Sequence, residues 1–182
     1  DISVVGAAQD AFEAKKLVNQ LSPDVITLDV EMPEVDGIRF LEVLMKARPT
    51  PVIMISTLTR SKADITLRAL ELGAVDYIAK PVVDDLSMFH RYSNTVINKV
   101  KMAARSRVGH SRLPIKRPAL PASKANRVLA IGASTGGTEA INSVLQQLPA
   151  QSFAVVMTQH MPAGFTTTFA DRLNRTTDFT VI

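Results

Sequence analysis

A serine stands among small residues directly after an apolar run, in the stretch VLAIGASTGGTEAI. Gly132, Ser134 and Gly136 match the pattern G-x-S-x-G, in which a sharp bend between a strand and a helix exposes a nucleophilic hydroxyl. The backbone N–H of Thr135, at the start of that helix, is then a candidate donor to a developing oxyanion. The pattern favours acyl transfer through Ser134, with a plain tight turn as the alternative because such short matches recur by chance.

Two phosphate-binding motifs fit the same stretch less well. A dinucleotide-binding G-x-G-x-x-G would need a glycine at position 134, where serine stands. A Walker-type loop would need Lys followed by Ser or Thr after its second glycine, and no such pair follows here. The nucleophile interpretation therefore fits the positions best.

A histidine follows the next apolar run, FAVVMT at residues 153–158. Adjacent parallel strands end side by side, so His160 is expected within hydrogen-bond reach of Ser134, as a general base must be. The other two histidines, His90 and His110, fall in a predicted helix and a predicted linker. His160 is therefore the candidate base.

A serine–histidine pair normally needs a carboxylate that orients the imidazole. Asp171 and Asp178 follow His160 in the chain, and neither is a convincing partner. The order, serine before histidine with any aspartate still to come, differs from the Ser–Asp–His order of α/β-hydrolases. The sequence thus predicts the same chemistry on a different scaffold.

A second set of polar residues closes the predicted strands of the N-terminal half. Asp29, Ser56, Tyr77 and Lys80 lie at or near strand ends, where ligands gather in open parallel sheets. The carboxylate is a candidate nucleophile for a phosphoryl group, whose oxygens the hydroxyl and the ammonium would hold. Mg²⁺ would bridge carboxylate and phosphate. Singly, each residue is more often a turn former or a solvated charge; together they predict a phosphoryl-transfer site.

The elements that must position these residues alternate between strands and helices. Strands are predicted at residues 2–5, 24–30, 51–56, 74–80, 127–132, 153–158 and 179–182, and helices at residues 11–21, 37–48, 62–72, 87–105, 137–148 and 166–175. This order predicts an α/β fold with parallel sheets covered by helices. It divides into an α/β domain at 1–105, a basic proline-containing linker at 106–126 and a second α/β domain at 127–182.

Composition narrows the class of protein. Of the 182 residues, 46% are hydrophobic and 21% charged, as in globular proteins. The net charge is +4, but residues 101–126 hold seven basic residues and no acidic one, so the basicity is confined to the linker region. We therefore expect no nucleic-acid partner. Cysteine is absent and no apolar run reaches the ~20 residues of a membrane span, so we expect a cytoplasmic protein without direct membrane insertion.

The N-terminal half resembles the receiver domains of two-component response regulators. LDVEMPEVDG around Asp29, VIMIS ending at Ser56 and ALELGAVDYIAKP carry the resemblance, which covers almost all of residues 1–105. It implies a flavodoxin-like doubly wound fold, with Asp29 as the phosphoacceptor of a histidine kinase. Ser56 and Tyr77 would be the phosphate-binding and switch residues.

The same resemblance assigns the remaining residues of this site. Lys80 would hold the phosphate and precede a cis peptide bond to Pro81, and Asp29 with the Glu31 carbonyl would bind Mg²⁺. Receivers complete their Mg²⁺ site with an acidic pair after the first strand, and no residue N-terminal to Ile2 supplies it. We therefore expect the first strand and helix of the receiver to be missing, and Mg²⁺ binding and phosphorylation to be poor.

Both halves together resemble the chemotaxis protein-glutamate methylesterase family, the CheB type. The receiver, the linker at 106–126, IGASTGGTEAI and TQHMPAGFT carry this resemblance over all 182 residues. It implies hydrolysis of glutamate methyl esters and deamidation of glutamines on methyl-accepting chemoreceptors, with Ser134 as nucleophile, His160 as base and no cofactor for the ester chemistry. Phosphorylation at Asp29 would uncover the esterase site. The triad aspartate would lie beyond Ile182, so we expect a C-terminally truncated, inactive esterase domain.

Two other functions remain as alternatives. A response regulator could contact DNA through its basic linker, although no helix-turn-helix pattern follows residue 126. A receiver could also be joined to a noncatalytic nucleotide-binding unit, in which Ser134 would be replaceable.

Overall fold

A computed structural model describes residues 2–32, 36–57, 60–81, 86–109, 128–149, 153–162 and 164–182. The chain divides into two compact units, Asp1–His110 and Ser111–Ile182. The linker predicted over 106–126 lies mostly outside the described residues, so its boundaries stay a prediction. No helix in the described part of the chain is both long enough and apolar enough to cross a membrane.

The N-terminal unit is a three-stranded parallel sheet with helices between its strands. Its elements are α1 (Ala11–Leu21), β1 (Ile26–Asp29), α2 (Gly37–Ala47), β2 (Val52–Ser56), α3 (Arg60–Glu71), β3 (Asp76–Ala79) and α4 (Leu86–Ala103). The strands are ordered β1-β2-β3. Asp29 is opposite Ile55, and Ser56 is opposite Ala79. The carboxyl ends of all three strands therefore lie at one edge, as the alternating pattern predicts.

Aspartate side chains cap the first turns of α1 and α2 and so fix where these two helices begin. Asp10 caps α1 by accepting hydrogen bonds from the N–H groups of Phe12 and Glu13, both at 2.8 Å. Asp36 caps α2 in the same way, at 2.7 Å from the Arg39 nitrogen. The apolar run of β2 is fully buried at its centre, with Met54 at 0% exposure, which is expected of a strand covered on both faces.

The C-terminal unit has one pair of parallel strands and two helices. Its elements are β4 (Val128–Ala133), α5 (Gly137–Leu145), β5 (Ala154–Gln159) and α6 (Phe165–Thr176). β4 and β5 pair in register from Val128 opposite Ala154 to Ala133 opposite Gln159. The helices pack through a buried apolar set, namely Ile141, Leu145, Phe165, Phe169 and Leu173.

A polar contact also joins α5 to α6. The guanidinium of Arg172, almost fully buried, pairs with the Glu139 carboxylate. The Thr176 hydroxyl donates to the Asn142 side-chain oxygen at 2.7 Å. These pairs tie the two helices to each other.

Two predicted strands and one predicted cis bond are wrong. Residues 2–5 form no strand: Val4 is 85% exposed, because no described segment pairs with this backbone. Residues 179–182 form none either, because the Val181 backbone bonds instead to the Asn174 side chain, at 2.8 and 2.9 Å. No cis peptide bond occurs among the described residues, so the bond before Pro81 is trans.

Candidate functional sites

The structure brings Asp29 and Lys80 together at the carboxyl edge of the N-terminal sheet. One Asp29 carboxylate oxygen accepts a hydrogen bond from the Glu31 N–H at 3.0 Å, and the other is paired with the Lys80 ammonium. Both side chains are 35% exposed, so the carboxylate is held in place and is still partly accessible to solvent. The Lys80 N–H also donates to the Ser56 carbonyl at 2.8 Å, which ties the ends of β3 and β2 together.

The end of β1 reaches this position because Gly37 allows a close approach. A Cβ on Gly37 would lie 2.1 Å from the Asp29 carbonyl oxygen, and the Gly37 N–H donates to the Val30 carbonyl at 3.1 Å. Any side chain at position 37 would therefore push the start of α2 away from the strand end.

Ser56 lies beside this pair but bonds elsewhere. It is almost fully buried, and its hydroxyl donates to the Thr57 carbonyl at 3.2 Å. The Thr57 hydroxyl is buried with no hydrogen-bond partner among the described residues. Two hydroxyl groups thus lie at the carboxyl end of β2, that of Ser56 in the strand and that of Thr57 after it, where the sequence predicted one.

Tyr77 faces inward and is held by charged groups that the sequence analysis missed. Lys99 on α4 donates to the Asp76 carboxylate at 2.7 Å and to the Tyr77 carbonyl at 2.9 Å, and its nitrogen lies 5.2 Å from the centre of the Tyr77 ring. Burial, and then the negative charge of Asp76, raise the pKa of the Tyr77 phenol. The only signal in the sequence was an acid beside the strand aromatic, with nothing to indicate its partner.

The described residues do not by themselves fit a magnesium ion. They contain no group of three or more His, Cys, Asp or Glu side chains placed to hold a metal. Both Asp29 oxygens are already engaged, by the Glu31 N–H and by Lys80. Mg²⁺ demands near-octahedral oxygen coordination, and Asp29 with the Glu31 carbonyl offers only two protein ligands.

In the C-terminal unit, Ser134 follows β4 at the predicted bend. Gly136 adopts a left-handed φ of 72°, which most other residues avoid, and α5 begins at Gly137. The Ser134 carbonyl accepts from the Gly137 N–H at 2.8 Å. Ser134 is exposed and Thr135 half-buried, so the hydroxyl lies open at the strand end.

His160 occupies the matching position after β5. Its backbone N–H donates to the Ala133 carbonyl at 3.2 Å, which fixes it beside the residue that precedes Ser134. The pairing of Ala133 with Gln159 places Ser134 and His160 one residue past paired positions on neighbouring strands. The described hydrogen bonds include none between the imidazole and the Ser134 hydroxyl. The strand ends place the two residues side by side, and no described hydrogen bond joins their side chains.

The other predicted residues are also located. Asp171 is an exposed residue of α6, and Asp178 is exposed beyond the end of that helix. His90 is an exposed residue of α4. A further residue at the serine site, Gln159, was missed, since its only signal in the sequence is that it precedes His160.

Known proteins match both units. Residues 1–93 match the family model of the response regulator receiver domain, and residues 129–182 match that of the CheB methylesterase. The crystal structure of the response regulator domain of Thermotoga maritima CheB is 43% identical, with a TM-score of 0.52 over 59% of this chain and 80% of that one. The flavodoxin-like receiver fold and the parallel α/β methylesterase segment are thereby confirmed.

Curated relatives extend the match over the chain as a whole. It is 53% identical, over 100% of its length, to protein-glutamate methylesterase/protein-glutamine glutaminase 2 of Shewanella oneidensis, and covers 54% of that protein. Protein-glutamate methylesterase/protein-glutamine glutaminase 1 of Xanthomonas campestris is 50% identical over 96% of this chain and 52% of its own length. The chain thus spans about half the length of the curated relatives it matches. With the receiver match over half of its residues and the methylesterase match in its C-terminal unit, the chain belongs to the CheB family of response regulators.

Proposed function

We propose that the complete protein hydrolyses glutamate methyl esters, and deamidates glutamines, on chemoreceptors by a serine mechanism that phosphorylation of the receiver controls. The observation that carries the proposal is the position of Ser134 and His160 at the adjacent ends of β4 and β5. The relatives' names, protein-glutamate methylesterase and protein-glutamine glutaminase, supply the substrate class. The histidine kinase and the chemoreceptors are the proposed partners, and the cytoplasm the proposed location.

The proposed esterase chemistry follows from the bend that exposes Ser134 between β4 and α5. The Ser134 oxygen attacks the ester carbonyl while His160 takes its proton, and His160 gives that proton to the departing methoxide oxygen as the C–O bond breaks, so that methanol leaves. Water, activated by His160, then hydrolyses the acyl-enzyme and leaves a free glutamate. With glutamine the leaving group is ammonia. The Thr135 N–H and the N-terminus of α5 stabilise the oxyanion.

The imidazole still needs a carboxylate partner. Asp171 and Asp178 are exposed, and neither is assigned that role. We propose that the triad aspartate lies beyond Ile182 in the complete chain. Residues 1–182 alone are therefore expected to give no significant turnover, because an unoriented imidazole is a poor base.

At the receiver site we propose that an Asp29 oxygen attacks the phosphorus of a phosphohistidine, breaking the P–N bond. The Lys80 ammonium, already paired with the Asp29 carboxylate, then neutralises the phosphoryl oxygens. Mg²⁺ stays a prediction from the resemblance. The described residues do not by themselves form its site.

The test replaces Ser134 in a complete methylesterase chain that contains residues 1–182. Ser134→Ala is expected to lower methanol release from methylated receptors by about 10³-fold or more, because the nucleophile is lost. Ser143→Ala, at a half-buried serine on α5, is the matched control and should retain activity. Activity retained in Ser134→Ala would contradict the assignment of Ser134 as the nucleophile.

A further inference from the structure

We propose that Gln159 is a positioning residue that sets the oxyanion donor and the base of the serine site at once. The proposal rests on the proposed esterase function. Gln159 ends β5, directly before His160 and opposite Ala133, the residue before Ser134. Gln159 therefore lies at the paired strand ends that precede Ser134 and His160.

The side-chain amide of Gln159 bonds to the backbone of both Ser134 and His160. Its Nε2 donates to the Ser134 carbonyl at 2.8 Å and to the His160 carbonyl at 3.2 Å. An amide NH₂ has two hydrogens, so both donors are used. No other side chain in the described part of the chain is recorded bonding to both residues.

The bond to Ser134 has a consequence for Thr135. The Ser134 C=O and the Thr135 N–H belong to one planar trans peptide, in which they point in opposite directions. The carbonyl is fixed by two donors, Gln159 Nε2 and the Gly137 N–H, each at 2.8 Å. Fixing the carbonyl aims the Thr135 N–H, the proposed oxyanion donor, the other way.

The bond to His160 acts on the base. The His160 N–H already donates to the Ala133 carbonyl at 3.2 Å, and the Gln159 amide holds its C=O. With both of its backbone groups engaged, His160 is held beside the end of β4 that precedes Ser134.

Gly137 makes room for this arrangement. A Cβ at position 137 would lie 2.0 Å from Gln159 Oε1 and 2.6 Å from the Ala133 Cβ. Gly137 does not have the positive φ of Gly136, so it is required by space and not by backbone conformation. Gln159 Oε1 is buried with no hydrogen-bond partner among the described residues. An amide held with an unsatisfied oxygen costs stability, which indicates that its position serves the site.

The experiment compares Gln159→Met and Gln147→Met with the parent in a complete methylesterase chain that contains residues 1–182. Methionine preserves length and volume and removes the donors. Gln147 is the matched control, because its Nε2 bonds to the Ser143 carbonyl at 2.9 Å in the same unit but touches neither reacting group. The readouts are kcat and KM for methyl-ester hydrolysis, the rate of Ser134 labelling by a fluorophosphonate, and the melting temperature.

For Gln159→Met we expect kcat and the labelling rate to fall about 10- to 100-fold, with KM within about twofold. The melting temperature should stay within about 3 °C of the parent. A purely structural glutamine would instead change the melting temperature and leave kcat per folded molecule intact. Gln147→Met should keep the parental kcat.

The outcomes separate the two proposals. A parent that neither hydrolyses the ester nor is labelled at Ser134 overturns the proposed function and this inference with it. An active parent with full kcat in Gln159→Met overturns the inference alone. If the methionine variant does not fold, Gln159→Asn answers the same question. Its amide is one bond too short to reach both carbonyls, and an unchanged kcat there would again contradict the proposal.

Discussion

Lys80 sits against one Asp29 oxygen while the Glu31 N–H occupies the other. At this scale each group works through its immediate partners. The Asp29 carboxylate is paired with a neighbouring cation, and burial raises the pKa of the Tyr77 phenol. The Ser134 carbonyl is fixed by two donors. Asp29 and the Ser134 carbonyl are therefore each held by a few contacts that single substitutions can remove.

The raised pKa of Tyr77 predicts a loss of stability in alkali. The unfolded phenol ionises near pH 10, whereas the folded one keeps its proton to higher pH. Its contribution to stability is therefore fully present below about pH 10 and is lost as the pH rises through that value. Tyr77→Phe should flatten the fall of the unfolding free energy above about pH 10, measured by denaturant titration at several pH values.

The chain's other tyrosine provides the control for this prediction. Tyr92→Phe removes the phenol of a half-buried tyrosine on α4. Equal slopes of stability against pH in the Tyr77 and Tyr92 variants would contradict the prediction.

At the scale of elements, charged pairs connect structures that are distant in sequence. Asp76 on β3 and Lys99 on α4 are 23 residues apart and form a pair in which the carboxylate is 8% exposed. Arg172 and Glu139 join α6 to α5 in the same manner. By contrast, Lys46 and Glu42 lie on one exposed face of α2. Burial decides which of these pairs holds elements together.

Lys99→Met is expected to lower the unfolding free energy by about 1–3 kcal/mol, because it leaves a buried carboxylate without its cation. Adding Asp76→Asn should recover part of the loss, since the uncompensated charge is then removed. Chemical denaturation measures both effects. Lys46→Met, which breaks an exposed pair, should change stability very little. An equal cost in the two lysine variants would refute the role of burial.

At the scale of the whole molecule, two α/β units carry two different reactive groups. Phosphorylation can change the esterase only by favouring one of two states of the complete protein over the other. The rise in activity is therefore limited by the difference in phosphoryl binding between these states. This is a thermodynamic requirement and does not depend on how the units are arranged.

Asp29→Asn in a complete chain that contains residues 1–182 should abolish the rise in esterase activity that a small phosphodonor such as acetyl phosphate produces. The basal rate should persist, because Ser134 and His160 are untouched. Asp24→Asn, at an exposed residue before β1, is the control and should respond like the parent. A phosphodonor response that survives in Asp29→Asn would move the phosphoacceptor elsewhere. The rate of methanol release measures both.

Local patterns predicted most of the fold and the main pairs of both sites. Alternating apolar runs predicted the parallel strands, and parallel strands end at a common edge. For that reason Asp29 and Lys80 were expected at one edge, where they form an ion pair, and Ser134 and His160 were expected together, where each follows one of two paired strand positions. The catalytic roles of these residues stay predictions. Gln159 could not be found this way, because its role depends on one amide reaching carbonyls on two loops.

The sequence by itself determined the element types, the glycine bend at Ser134 and the strand-end residues, because these depend on near neighbours in the chain. Tertiary structure decided which backbone groups found partners. Residues 2–5 have the composition of a strand but pair with no other described segment, and the Val181 backbone bonds to the Asn174 side chain and not to a neighbouring strand. It also decided that Lys99 meets Asp76 across 23 positions. Hydrogen bonds and ion pairs form between groups that are close in space, and a local sequence pattern does not show which distant residues become neighbours.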